Sequence, residues 1–116
     1  AETRIRMADS PWQNLWSGIK PATDEIQGIC SVLRSYVENI TKKTYREFRA
    51  YEYREQIVDG KNYLIRVYVG EEALIDLMVY EPLPQKTTGE LWLIEFDLRG
   101  IEQNQKPNDP LEPFKG

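Results

Sequence analysis

Few residues of this chain could carry chemistry. Cys30 is its only thiol, and a cysteine becomes a nucleophile only where a base, a cation or a helix N-terminus stabilises the thiolate. Histidine is absent from all 116 residues, which removes the Ser/His/Asp and Cys/His arrangements together with the common metal-binding clusters. Glu71 and Glu72 are a pair that could share proton transfer, but in the stretch VGEEA they read as a solvated turn. The functional candidates are therefore binding residues. The chain is not expected to be an enzyme, and no cofactor or metal is expected.

Charge and composition narrow the partners. The formal net charge is −4, and Lys42, Lys43, Arg46 and Arg49 are interleaved with acids instead of forming a phosphate-binding stripe, so nucleic acid is not an expected partner. Hydrophobic residues make up 41% of the chain, enough for one core. No apolar run approaches the ~20 residues needed to span a bilayer, so no membrane partner is expected. A lone cysteine cannot form an internal disulfide, which points to the cytoplasm. Residues 1–6, ahead of Met7, read as added sequence and not as a targeting segment.

The elements that must position a binding site follow from periodicity. In PATDEIQGICSVLRSYVENI, residues Ile26, Ile29, Leu33, Val37 and Ile40 fall at the three-to-four spacing of one helix face. Thr23 is placed to cap this helix, with Asp24 and Glu25 in its first turn and Lys42 and Lys43 after its end. Cys30 lies beside the apolar stripe and reads as a small core residue. From Tyr45 the period becomes two, giving three antiparallel strands with Tyr51, Tyr53 and Ile57, then Tyr63, Ile65, Val67 and Val69, then Ile75, Leu77 and Val79 on one face. A fourth strand is expected around Leu91–Leu98, where Leu91, Trp92, Leu93 and Ile94 leave its orientation open. The segment from Gln103 onward is expected to be extended or loose.

Asp59-Gly60 suggests a two-residue hairpin turn, but that register would send Tyr51 and Tyr53 to one face and Ile65 and Val67 to the other. Only an odd-numbered loop of three or five residues, centred near Val58 or Asp59, aligns the faces. It would present Ile57 or Val58 at its tip. The next long connection, EPLPQKTTG, has prolines that cannot donate ladder bonds and leaves Leu83 exposed between them. The expected architecture is α+β: a single domain with one amphipathic helix packed across a curved antiparallel sheet of four to five strands. Residues 1–19 form an N-terminal trunk and 20–116 the domain.

In order along the chain, KPATDEIQ, QIVDG, GKNYLIRVYVGEE and PLP resemble the helix entry, first hairpin, following strand and second hairpin of the cystatins, and within them the disulfide-free stefins. The resemblance runs from Lys20 to about Gln85. It implies a cystatin-like domain that inhibits papain-like cysteine proteases such as cathepsins, reversibly and tightly, by occluding their cleft with the trunk and two hairpin loops. Carried over residue by residue, it assigns protease contact to Gln56, Ile57, Val58, Asp59 and Gly60, and to Leu83 and Pro84. In the trunk it assigns contact to Leu15, Trp16 and Gly18. It also implies a monomer able to form a domain-swapped dimer.

Three features depart from the stefin pattern. Asp59 stands where the family motif has alanine, placing a carboxylate at a tip that must lose its water. Gly18 is three residues before Pro21, whereas stefins place their glycine about seven before, a position held here by Asn14. ELWLIEFDL matches the family's final strands poorly and leaves Trp92 without a role. These departures are what supports the alternative to inhibition, a divergent or engineered cystatin-fold binding module without protease inhibition.

Overall fold

The computed structural model describes residues 15–114. The chain enters as a two-residue strand β1 (Lys20–Pro21), followed by α1 (Asp24–Thr41), β2 (Arg49–Val58), β3 (Gly60–Gly70), β4 (Ala73–Glu81), a small ribbon of β5 (Gln85–Lys86) and β6 (Trp92–Leu93), and β7 (Asp97–Gln105). Five strands form one antiparallel sheet in the order β1-β2-β3-β4-β7. β5 and β6 pair only with each other.

α1 begins where Thr23, in extended conformation, accepts a hydrogen bond from the Ile26 amide at 3.2 Å through its hydroxyl. The helix ends at Lys42, whose left-handed backbone directs its N–H to the Glu38 carbonyl. Ile26, Ile29, Cys30, Leu33 and Val37 are buried against the sheet. Burial pushes the Cys30 thiol up to about 12, so it stays protonated and serves as packing.

Ile40 is exposed, against the expectation that it continues the buried stripe. The returning chain explains this. Arg34 donates to the Tyr45 carbonyl, Glu38 accepts from the Tyr45 amide at 2.9 Å, and the Tyr45 hydroxyl bonds Thr41 at 3.0 Å. Tyr45 and Phe48 therefore occupy the space beneath the last helical turn, and Ile40 points away from it.

The sheet's helix-facing side holds Tyr53, Tyr63, Ile65, Val67, Val69, Ile75, Leu77 and Val79. Tyr51 does not join them. It is the unpaired residue of a bulge between the Ala50–Val67 and Glu52–Arg66 pairs, and it is exposed; the extra residue absorbs one step of register. The turn between β3 and β4 has positive φ at Gly70, Glu71 and Glu72, and both glutamates are exposed in it.

The last strand is displaced from its expected place. Leu91–Ile94 lie outside the five-stranded sheet, and β7 occupies Asp97–Gln105, with Leu98 opposite Val79 and Ile101 opposite Leu77. The segment after β7 is not loose either. It crosses the back of the sheet, where Leu111 is buried and the Phe114 ring lies over Gly100. Buried Arg66 pairs through Nε and Nη2 with Asp76 at 2.8 and 2.9 Å and donates through Nη1 to the Asp109 carbonyl at 2.8 Å. Arg54 donates to the Leu111 carbonyl at 2.7 Å. Cationic side chains thus satisfy carbonyls of a segment that, among the described residues, pairs with no strand.

Candidate functional site

Three segments meet at the end of the sheet remote from the helix C-terminus. The first is the β2–β3 tip. Ile57 pairs with Lys61 and Val58 with Gly60, so the loop is centred on Asp59 and has the odd length that keeps Tyr53 opposite Ile65. Gly60 has φ +95, and a Cβ there would overlap the Glu81 carbonyl. Only glycine permits both that backbone and that approach. The Tyr80 hydroxyl donates to the Asp59 carbonyl at 2.6 Å, and Asn62 donates to the Gln56 side-chain oxygen at 2.9 Å. Ile57 and Asp59 are exposed and Val58 is half-buried.

The second segment leaves β4 beside this tip. Lys61 pairs with Glu81, and Glu81 accepts from the Tyr63 hydroxyl at 2.9 Å. Burial, with the Glu81 carboxylate beside it, raises the pKa of that phenol, so it remains a donor. Pro82 is half-buried, whereas Leu83 and Pro84 project into solvent.

The third segment is the trunk, which runs antiparallel to β2 with Lys20 opposite Tyr53 and Pro21 opposite Glu52. Ser17 donates its amide to the Glu55 carbonyl at 2.8 Å, and its hydroxyl accepts from the Glu55 amide at 3.0 Å. Arg54 donates to the Ser17 carbonyl at 2.8 Å. Each step back from Ser17 therefore moves toward the hairpin tip, bringing an exposed Leu15 and a half-buried Trp16 to the same edge. Gly18 is exposed, and a side chain there would meet nothing, so neither close packing nor backbone sign requires glycine. Asn14, and residues 1–6 ahead of Met7, lie outside the described residues.

The geometry is that of a projecting edge with apolar points, not of a cleft holding convergent polar groups. Among the described residues, no group of three or more His, Cys, Asp or Glu is placed to hold a metal ion. A model of the cystatin domain matches residues 15–98.

The chain belongs to the cystatin family.

Its curated relatives agree. The chain is 36% identical over 95 residues to cystatin-A1 of Sus scrofa, covering 82% of this chain and 86% of that one. It is 39% identical over 98 residues to cystatin-B of Macaca fuscata fuscata, covering 84% and 94%. Leukocyte cysteine proteinase inhibitor 1 of Sus scrofa is 42% identical over 67 residues, covering 58% of this chain and 65% of its own.

In this cystatin all ten residues singled out from sequence lie in the three segments that gather at one edge. The supports of that edge were not foreseen. Tyr80 and Ser17 each fix one segment to another through a hydroxyl, and nothing in their sequence surroundings distinguishes them from ordinary strand and loop residues.

Proposed function

We propose that this cystatin is a reversible, tight-binding inhibitor of papain-like cysteine proteases, cathepsins among them. It would enter their active-site cleft with Leu15–Gly18, Gln56–Gly60 and Leu83–Pro84. The observation that carries this reading is the convergence of the three segments, with Gly60 packed against Glu81 and Ser17 bonded to Glu55. Membership of a family that includes a named cysteine proteinase inhibitor supports the target class.

Inhibition on this reading is occlusion. Val58, Leu83 and Leu15 supply apolar groups for subsites, and the tip backbone fills the cleft without placing a peptide bond in attack geometry. Preorganisation matters because ordering flexible loops on binding would subtract from affinity, and the tip is already held by the Tyr80 hydroxyl and the Glu81 backbone. Asp59 places its carboxylate at the most advanced point, so it would favour proteases with a basic group at that depth and disfavour those with an apolar floor. We place the working form as a monomer in the cytoplasm, which suits an unpaired, buried cysteine; exchange of the first hairpin between chains would remake the tip.

The test is a steady-state titration of papain and a cathepsin panel with the wild type beside the Val58→Asp/Leu83→Ala double variant. Tight inhibition that the double variant loses is the expected result. No inhibition by the wild type at micromolar concentration would overturn the reading and leave a cystatin-fold binding module.

A further inference from the structure

Between Leu83 and β7 the chain makes a ribbon that belongs neither to the sheet nor to the three segments above. Gln85 pairs with Leu93 and Lys86 with Trp92. The turn is closed by its own bonds: Glu90 N–H to the Thr87 carbonyl at 3.0 Å, Thr87 N–H to the Leu91 carbonyl at 2.8 Å, and Leu91 N–H to the Thr87 hydroxyl at 3.2 Å. Glu90 takes the left-handed conformation that such a turn needs at its last position, with φ 64. The ribbon thus has a definite shape without a core behind it.

Its sequence is the reverse of what a solvated ribbon should carry. Leu91, Trp92, Leu93 and Ile94 are 73, 65, 45 and 56% exposed. Because strand side chains alternate, both faces of the ribbon present apolar groups. Scattered exposed apolar residues are ordinary, but four in succession on a two-stranded ribbon, itself marginal in water, mark a surface built to be covered. Glu90 and Glu95 border the run, and Lys86 lies 3.8 Å from Glu90, giving the apolar centre and charged rim of a binding patch.

The position identifies the occupant. Leu93 joins Leu83, Pro82, Gln85 and Glu95 around one small cleft, so the patch is continuous with the second segment of the protease-binding edge. A second run of exposed apolar residues, Val32, Tyr36 and Ile40 along α1, lines a broader groove with Glu95–Arg99, the segment that leaves the ribbon, and shares none of the residues of the Leu83 cleft except Glu95. A protease seated on the edge at Leu83 would therefore meet the ribbon first.

We infer that the ribbon is a fourth contact element: Leu91–Ile94 docks on an apolar strip, bordered by basic side chains, on the rim of the protease cleft next to Leu83, and selects among papain-like proteases. This rests on the inhibitory reading above. The rim lies outside the catalytic groove, so the contact would set residence time and target preference and leave the occlusion itself to the other three segments.

The test measures inhibition constants and dissociation rates of the full chain against papain and the same cathepsin panel, for the wild type, Trp92→Ala, Leu91→Ala/Trp92→Ala, and Leu83→Ala as the edge control. The ribbon variants are expected to raise the inhibition constant by about tenfold or more for some proteases and about twofold or less for others. The rise should come from faster dissociation, with the melting temperature unchanged. Wild-type inhibition that the ribbon variants match against every protease, while Leu83→Ala weakens it, would overturn this inference alone. Wild type that inhibits none of the panel would overturn it together with the reading beneath it. A concentration-dependent dimer dispersed by Trp92→Ala, with inhibition unaffected, would assign the ribbon to a second copy of the chain and overturn it as well.

Discussion

Tyr80 and Asp59 stand 21 positions apart in the chain, and the hydroxyl of the first donates to the backbone carbonyl of the second at 2.6 Å. The bond joins the strand that feeds one loop to the tip of the other, so the two cannot move independently without breaking it. Tyr80→Phe removes the donor and keeps the ring, over which Arg99 also lies. We expect protease dissociation to quicken by roughly fivefold, the equivalent of about 1 kcal/mol, with the urea midpoint almost unmoved because the bond is exposed. Unchanged dissociation would show that the tip is held by Gly60 and Glu81 alone.

Gly60→Ala should act on both stability and binding. The positive φ alone costs about 1–3 kcal/mol for a residue with a side chain, and the new methyl would also press on the Glu81 carbonyl, forcing the two connections apart. A lowered urea midpoint accompanied by loss of inhibition is the expected pair of results. A variant with full stability and full inhibition would mean that the tip can relax without cost.

The buried Arg66–Asp76 pair should show the asymmetry of buried ions. Asp76→Leu leaves a guanidinium on the back of the sheet with the tail carbonyls and a Glu52 oxygen 3.7 Å away as its remaining partners, and should cost about 3–5 kcal/mol in urea unfolding. Arg66→Met combined with Asp76→Leu should recover much of that loss. A double variant less stable than the single would refute this account.

Glu38 gives a pH dependence. Its carboxyl is held below the ordinary glutamate range chiefly by the Tyr45 amide, which outweighs the opposing effect of burial, with Arg34 adding to the lowering. The folded state therefore binds this proton less readily than the unfolded chain. The contribution is complete above the ordinary glutamate range and disappears as pH falls from there through the depressed folded value. Wild type should exceed Glu38→Gln in thermal stability at neutral pH, and the two should converge in strong acid. A gap that persists unchanged at low pH would assign the difference to packing.

Most of the fold was legible where periodicity had one physical cause. The β3 and β4 stripes were read from residues that alternate because one face meets a helix, and the odd loop length followed from keeping Tyr53 and Ile65 on that face. Legibility failed where a second cause intervened. Leu91–Ile94 looked like a strand because four apolar residues in water are improbable, and their exposure reflects the ribbon rather than the sheet. Tyr51 kept the period of its neighbours, but a bulge shifted the phase beneath it. Leu111 could not be placed because its burial depends on arginines some 45–57 positions away. Of the binding edge, the projecting groups were readable and the hydroxyls that fix them were not.

The odd β2–β3 tip makes the two connections differ in how they can change length. One residue added at Asp59 would turn Tyr53 and Arg54 to each other's sides, exchanging an aromatic ring for a guanidinium against the helix, unless a further bulge cancelled the step. Insertions at that tip are viable only in pairs. The connection through Leu83 to Ile94 lies outside the five-stranded ladder, so it can gain or lose any number of residues while the sheet stays as it is. One loop is quantised and the other continuous, and new target preferences can therefore be tried in the second while the geometry of the first stays constant.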